Sequence, residues 1–262
     1  EMMSKSGVKG ILYRYFRAKE KKLYALSDRI GCMSQANIDY VLKHNPEVSA
    51  EKVELCPNSV EPIDMRVPEE EKLRKKYDLP LDKKLFVYGG NLGKPQDVPF
   101  IVECLKACAK IRDAYFVIAG SGTERHFLKE YVETEKPGHV KLFGYIPKAE
   151  YDKMIACCDV GLIFLDHRFT IPNFPSRMLS YMQAGLPVLA CTDPNTDIGK
   201  VVVEGGFGWW CESNNVNAFA NAIQINLASH IKVMGARGYR YLCKYYSAEQ
   251  AGETILSHYR DI

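Results

Sequence analysis

Apolar residues in this chain fall into short runs that alternate with stretches of helical spacing. From residue 84 onward, each run ends near a glycine or a turn, and the stretches between runs place apolar side chains three and four residues apart. Nearly continuous apolar runs are typical of strands buried on both faces, which occur in parallel sheets. The predicted strands lie at 85–88, 114–119, 140–143, 160–165, 187–190 and 208–211.

The predicted helices between these strands lie at 98–110, 123–135, 151–158 and 174–184. Because crossovers between parallel strands are right-handed, this order predicts an α/β fold with a doubly wound, Rossmann-like parallel sheet. In such sheets the ligand binds beyond the carboxyl ends of the strands. Candidate functional residues are therefore expected on the loops that follow the strands.

The first 65 residues have a different pattern. We predict a basic, aromatic-rich helix, a strand, a second helix and a second strand, at 9–27, 29–33, 35–44 and 53–56. These elements do not complete a sheet, so we interpret 1–60 as the end of a preceding domain with its linker. The Rossmann-like domain would occupy 61–235, and 236–262 would form a C-terminal helix.

Composition and charge exclude several classes of protein. The 262 residues are 47% hydrophobic and 26% charged, which is ordinary for a globular protein. Lys and Arg number 35 against 32 Asp and Glu, and this balance argues against nucleic acid as the main partner. No apolar run reaches the roughly 18 residues of a membrane span, so we expect a soluble, cytoplasmic chain. The nine cysteines include no Cys-x-x-Cys pair, and we expect free buried thiols rather than a metal site.

Two glycine-rich turns follow the first two predicted strands of the main domain. The first spans 89–96 and includes Lys94, and the second spans 120–122. Glycine lets the backbone approach an anion closely, and the helix that follows adds a positive dipole end. Because both turns would face one crevice, they favour a ligand that carries phosphate. Plain turns between strand and helix remain the alternative for each.

The predicted helix at 174–184 has a start suited to the same ligand. Pro175 and Ser176 are good helix-start residues, and Arg177 has the planar fork that binds a diphosphate through paired hydrogen bonds. A solvated surface charge is the alternative for Arg177. Tyr181 and Met182 are predicted to lie in the core.

Together these segments resemble the C-terminal half of family 4 retaining glycosyltransferases, which have the GT-B fold of two facing Rossmann-like domains. The resemblance runs from about residue 26 to the C-terminus. It is carried by the segments CMSQANIDYVL, VELCPNSVEP, FVIAGSG, VKLFGYIPKAEYDKMIACCDVGLIFL and PSRMLSYMQAGLPVLA. The segments YGGNLGKPQ and PSRMLSYMQAGLPVLA are most similar to the branch that builds bacterial capsule and O-antigen polysaccharides, including aminosugar transferases.

The resemblance implies a nucleotide-diphosphate sugar, UDP-linked, in the crevice of this half, and a saccharide or lipid-linked acceptor in the other half. No Asp-x-Asp pair occurs, so no metal or other cofactor is expected. The catalytic residues stay unassigned, while Lys94 and Arg177 would stabilise the leaving nucleotide. The implied substrate-binding residues are Gly90, Asn91, Lys94 and Gln96 on the first turn; Gly120, Gly122, Tyr145, Ile146 and Pro147 at the nucleotide; and Ser176, Arg177, Met178 and Ser180 at the phosphates and ribose.

This sequence departs from the family pattern at several positions. Asn91 and Gln96 stand where most members have an Arg and a Lys, and Pro172 and Ser180 stand in place of the paired glutamates. These losses are either a trait of the subfamily or the mark of a weakened donor site. His167, on the preceding loop, is a candidate sugar contact, with an ordinary surface position as its alternative.

Three functions stay open at this point: a sugar transferase, a nucleotide-sugar 2-epimerase on the same fold, and a non-catalytic nucleotide-binding module. The basic helix near the N-terminus suggests contact with the inner face of an anionic membrane, or packing on a preceding domain. An unpartnered C-terminal helix would expose apolar surface and favour a homodimer.

Overall fold

The structure, a computed structural model, describes residues 7–259. It divides into two compact units. The first contains the described residues up to 58 together with 170–174 and 195–197, and the second contains the remainder. Across the described residues, no helix combines the length and the apolar composition needed to span a membrane.

The first unit holds two short parallel strands and two helices, as the sequence predicts. The elements are α1 (Gly7–Leu26), β1 (Ile30–Cys32), α2 (Gln35–His44) and β2 (Val53–Leu55). Ser34 caps α2 by accepting a hydrogen bond from the Asn37 amide. Arg17 fixes α1 by donating to the His44 carbonyl at 2.7 Å and to the Asn45 side chain at 2.6 Å.

The second unit is built on a six-stranded parallel sheet. Its strands are β3 (Lys84–Asn91), β4 (Ala114–Ser121), β5 (Val140–Phe143), β6 (Val160–Phe164), β7 (Val188–Thr192) and β8 (Gly208–Glu212). The spatial order is β5-β4-β3-β6-β7-β8, so the strand order reverses between β3 and β6. This is the predicted doubly wound sheet, and in such sheets ligands bind beyond the carboxyl ends of the strands at the reversal, here β3 and β6.

Helices cover both faces of this sheet. They are α3 (Glu70–Lys76), α4 (Val98–Ala107), α5 (Arg125–Glu135), α6 (Lys148–Ile155), α7 (Arg177–Gln183), α8 (Ile198–Glu204), α9 (Val216–Leu227), α10 (Ile231–Tyr245) and α11 (Ala248–Ser257). The periodicity did not predict α3, α8 or α9. The sequence of α3, EEKLRKK, has almost no apolar side chains to mark a buried face, and α8 is equally short. The segment 236–262 contains the end of α10 and all of α11 rather than one helix.

The helix predicted at 174–184 begins three residues later. Ser176 occupies the position before the first helical residue, but its side chain caps no amide. The Met178 amide donates to the Pro175 carbonyl at 3.2 Å and the Leu179 amide to the Ser176 carbonyl at 3.0 Å. These bonds span three residues, so the chain enters α7 through a tight turn rather than a full α-helical turn.

The core is made of the predicted apolar runs. Strand β3 buries all its side chains between Leu85 and Tyr88, and β6 and β7 are buried along their whole length. Tyr181 and Met182 are fully buried, which confirms their predicted place in the core. All nine cysteines are free thiols, and all but Cys56 and Cys243 are buried.

Candidate functional site

The two glycine turns are paired with each other at the carboxyl ends of two neighbouring strands in the second unit's sheet. The predicted loop residues 89–91 and 120–121 are the last residues of β3 and β4, where Gly90 pairs with Gly120 and Asn91 with Ser121. The Leu92 amide then donates to the Ser121 carbonyl at 2.8 Å. The strands are longer than predicted because backbone pairing continues through the glycines.

Gly120 and Gly90 are required by this close approach. A Cβ on Gly120 would lie 1.9 Å from the Gly90 carbonyl oxygen, and its φ of +156° disfavours other residues. Gly90 has a φ of +128°, and a Cβ there would lie 3.1 Å from Nη2 of Arg177. Gly122 has the same constraint as Gly120, since its Cβ would lie 2.3 Å from the Leu92 carbonyl oxygen.

Arg177 lies against the first glycine turn, as the sequence predicts. Its guanidinium carbon is 4.4 Å from the centre of the Tyr88 ring. Nη1 is buried and has no hydrogen-bond partner, and no carboxylate pairs with this side chain within residues 7–259. A guanidinium stays charged at any physiological pH. The site therefore holds a shielded positive charge with an unused hydrogen-bond donor.

Neutral amides organise the rest of the first turn. Gln96 is buried, and its Oε1 accepts hydrogen bonds from Nδ2 of Asn91 at 3.1 Å and from the Gly93 amide at 3.2 Å. Asn91 is exposed at the mouth of the turn, whereas Gln96 supports it from below. Lys94 is also exposed, and no ion pair to another described residue holds its side chain. Its charge is therefore available to a ligand.

The nucleotide side of the predicted site follows β4 and β5. Arg125 joins the ends of these strands, donating to the Gly120 carbonyl at 3.1 Å and to the Phe143 carbonyl at 3.3 Å. Tyr145 is 81% exposed, Pro147 is exposed and Ile146 is half-buried. These three residues form the loop between β5 and α6, at the same edge of the sheet as the glycine turns.

The residues predicted around Arg177 have different positions. Ser176 is exposed and Ser180 is half-buried, so both can be reached by a ligand. Met178 is fully buried, and its amide is already bonded to the Pro175 carbonyl. It does not offer the free helix-start amide that the sequence predicts.

His167 lies beside an ion pair between a buried carboxylate, Asp166, and an exposed arginine, Arg168. Asp166 has no exposed surface, and Arg168 donates to both of its carboxylate oxygens, at 2.9 Å and 2.5 Å. Burial raises the pKa of Asp166, but the hydrogen bonds from Arg168 outweigh it and hold that pKa below the ordinary value. His167 is partly exposed, with Nδ1 3.7 Å from Oδ1 of Asp166.

Asp97, Asp166 and His167 bring their possible ligand atoms within 4.8 Å of one another, and they are the described residues best placed to hold a metal. The Arg168 guanidinium already neutralises Asp166, the one buried residue of the three. This arrangement is that of a satisfied ion pair, and a cation would have to compete with Arg168.

The sequence pattern does not reveal the functional setting of two tyrosines. Tyr88 belongs to an apolar run that predicts only a strand, and Tyr181 is predicted only to lie in the core. In the structure the Tyr88 hydroxyl donates to the Asn91 carbonyl at 2.6 Å, and the Gly89 amide donates to the Tyr181 hydroxyl at 3.2 Å. Burial raises the pKa of Tyr181 to about 12, so this phenol is neutral at physiological pH. A buried phenol generally has a hydrogen-bond partner, which is the one sequence signal available here.

Comparison with known proteins agrees with this geometry. Residues 69–247 match the family model described as glycosyl transferases group 1. The probable glycosyltransferase WbjE of Pseudomonas aeruginosa is 29% identical over 141 residues, which are 54% of this chain and 35% of WbjE. The chain thus spans about a third of the length of this curated relative.

Solved structures share the fold. The crystal structure of HepE from Anabaena in complex with UDP has a TM-score of 0.74 at 16% identity, covering 90% of this chain and 64% of HepE. WaaG, a glycosyltransferase involved in lipopolysaccharide biosynthesis, has a TM-score of 0.65 at 16% identity, covering 87% of this chain and 62% of WaaG. The predicted α/β fold with a Rossmann-like parallel sheet is therefore confirmed, and it matches part of these GT-B structures. Since the family model matches most of the chain, this protein belongs to the glycosyl transferases group 1 family.

Proposed function

We propose that this chain binds the nucleotide-diphosphate sugar of a glycosyltransferase, and that the nucleotide is UDP. The sugar would pass, with retention of its anomeric configuration, to a growing surface polysaccharide or a lipid-linked saccharide. A hexosyl or aminosugar group fits the polysaccharide branch that the sequence resembles. WaaG and the UDP-bound HepE, which share the fold, are consistent with this reaction class and this nucleotide.

The observation that carries the proposal is the environment of Arg177. A partly buried guanidinium without a carboxylate is costly unless a ligand supplies the missing charge. Its unpartnered Nη1 and the exposed Gly90 and Asn91 lie at the point where the strand order reverses, which is where such sheets bind nucleotides. Lys94 adds a second cation on the same turn. A diphosphate satisfies these groups.

The chemistry follows from the leaving group. Transfer breaks the bond between the anomeric carbon and the diphosphate oxygen, and the electron pair of that bond leaves with the nucleoside diphosphate. Positive groups already in place stabilise the charge that develops on that oxygen. Arg177 and Lys94 are proposed for this role. The acceptor's nucleophile and any base come from groups outside the described site, and we propose no metal.

Calorimetric titration with UDP, GDP and uridine tests the proposal. We expect UDP to bind more tightly than uridine by at least about tenfold, since charge-assisted hydrogen bonds contribute about 1.5–3 kcal/mol. Arg177→Ala should remove most of that preference, whereas Arg112→Ala, at an exposed arginine before β4, should keep it. Equal affinity for UDP and uridine in the unmodified chain would exclude a diphosphate site.

Product analysis separates the remaining functions, and it requires the acceptor-binding part of the protein as well. A transferase releases UDP only when acceptor is present, and NMR of the product shows the anomeric configuration. An epimerase returns an altered sugar still attached to UDP. Failure of the folded chain to bind any nucleotide would favour a degenerate module, as the Pro172 and Ser180 substitutions allow.

We also propose that the enzyme acts in the cytoplasm at the inner face of the membrane, through α1. The helix exposes Ile11, Phe16 and Leu26, which are 62%, 58% and 70% accessible, with Lys19 and Lys22 exposed beside them. Apolar and basic side chains on one surface suit an anionic bilayer. Cosedimentation with anionic, but not zwitterionic, vesicles is the expected result. We also propose that the chain forms a homodimer, as expected from the C-terminal segment, and light scattering tests its mass in solution.

A further inference from the structure

Two tyrosines hold the first residues of the first glycine turn. The Gly89 amide donates to the Tyr181 hydroxyl, which in turn donates to the Leu162 carbonyl at 3.1 Å. Two residues further on, the Tyr88 hydroxyl donates to the Asn91 carbonyl at 2.6 Å. Both side chains are completely buried. The backbone of the turn is therefore fixed by phenols from beneath rather than by the ligand.

Tyr88 also holds Arg177. The guanidinium carbon lies 4.4 Å from the centre of the Tyr88 ring, which is within the range of a favourable cation–π contact. Arginines that are shielded from water are usually positioned by a carboxylate, yet none pairs with Arg177 in the described part of the chain. An aromatic ring orients a guanidinium without neutralising it, so the full charge stays available.

One side chain thus fixes both parts of the phosphate site relative to each other. The Tyr88 ring supports the cation, and the Tyr88 hydroxyl supports the turn that the cation faces. The closeness of this pair is seen at Gly90, where a Cβ would lie 3.1 Å from Nη2 of Arg177. Groups held in place before binding lose less conformational freedom when the ligand arrives.

We infer that Tyr88 and Tyr181 are positioning residues that set the preference of this site for a diphosphate over the bare nucleoside. Tyr88 acts through Arg177 and Asn91, and Tyr181 acts through Gly89. The inference rests on the proposed function, because it concerns the same phosphate site. It adds that an aromatic ring takes the place of the carboxylate expected beside a shielded arginine.

The test measures the ratio of UDP affinity to uridine affinity in folded variants. Tyr88→Leu removes both the ring and the hydroxyl, and we expect the ratio to fall about tenfold. Tyr88→Phe keeps the ring but loses the hydrogen bond to Asn91, so the ratio should fall by about threefold, less than in Tyr88→Leu. Tyr181→Phe removes only the hydroxyl that accepts from Gly89, and the ratio should fall by about threefold or more.

A control variant separates this role from general packing. Tyr131 is also a buried tyrosine beneath a cation, with Lys106 Nζ 5.6 Å from its ring centre, but it lies on α5 away from the glycine turns. Tyr131→Leu should lower the thermal stability and leave the UDP-to-uridine ratio unchanged. If Tyr88→Leu does not fold, phenylalanines with increasing fluorination at position 88 keep the ring shape and weaken its negative face.

The outcomes are distinct. A UDP-to-uridine ratio that falls with ring fluorination, or with Tyr88→Leu but not Tyr131→Leu, supports the inference. A ratio unchanged in every folded Tyr88 and Tyr181 variant overturns it and leaves the proposed function intact. If the unmodified chain does not distinguish UDP from uridine, the proposed function fails, and the inference fails with it.

Discussion

Two shielded arginines lie at opposite ends of the strands of the same sheet, and they differ in the groups that bind their guanidinium. Arg74, at the amino ends of the strands, pairs with Asp159 at 2.9 Å and donates to the Cys157 and Lys83 carbonyls. Arg177, at the carboxyl ends, has an aromatic ring and a buried donor without a partner. The first arginine stabilises the fold, whereas the second keeps its bonding capacity for a ligand.

The largest expected effect is a loss of folding stability when Arg74 is replaced. Arg74→Ala would leave Asp159 shielded without its cation, and breaking a buried pair costs about 3–5 kcal/mol. Asp159 also accepts from the Leu85 amide at 2.7 Å, so the start of β3 would be disturbed as well. Urea unfolding should show this loss, while the exposed Arg112→Ala serves as a control within about 0.5 kcal/mol of the original.

Replacing Arg177 is expected to affect nucleotide binding rather than folding stability. Arg177→Leu removes a shielded charge that has no carboxylate, so the free energy of unfolding should be unchanged or raised by up to about 2 kcal/mol. The same variant should lose measurable preference for UDP. A destabilisation as large as that of Arg74→Ala would contradict the comparison, because it would mean that Arg177 also stabilises the fold.

A smaller effect is expected at Lys94, which is exposed on the glycine turn. Lys94→Ala should weaken UDP binding by about threefold to tenfold, and the difference should shrink as salt is added because exposed charges are screened. Calorimetry at low and high ionic strength measures this. Lys110→Ala, an exposed lysine before β4, should change neither quantity.

The smallest effect concerns Glu150, a half-buried carboxylate between two lysines. Hydrogen bonds from Lys76, Lys153 and Tyr77 lower its pKa from 4.5 to about 2. The unfolded chain therefore binds a proton at higher pH than the folded chain, and the stabilisation present above pH 4.5 declines as the pH falls toward 2. Unfolding curves across this range should converge for the original chain and Glu150→Gln. Curves that stay parallel would show that the ion pairs contribute nothing.

The contrast between Arg74 and Arg177 also shows which features the sequence could predict. The strands of the second unit and the position of Arg177 follow from apolar runs and from turns at their ends, which are local signals. The ion pair between Arg74 and Asp159 joins residues 85 positions apart, and no local pattern marks it. Likewise the hydroxyl of Tyr181 meets Gly89 only because α7 packs against β6, the strand beside β3.

The hydrogen-bond partners of the site residues could not be predicted from the sequence either. Gln96 was predicted to contact substrate because it stands at a family position, but the structure gives its oxygen to Asn91 and Gly93. Met178 is predicted to offer an amide, but the tight turn at the helix start uses that amide in a hydrogen bond to the Pro175 carbonyl. The exact backbone path determines which donors and acceptors are already bonded within the protein. Residue type and spacing do not determine that path.

The pairing of Gly90 with Gly120 has a consequence for how this site can respond to a ligand. The backbone atoms of the two turns belong to one hydrogen-bonded sheet edge, with 1.9 Å between a virtual Cβ on one glycine and the carbonyl oxygen of the other. Neither turn can move as an independent flap. Amide hydrogen exchange at these positions should therefore be slow even without nucleotide, and adaptation to different sugars falls to side chains such as Lys94 and Tyr145.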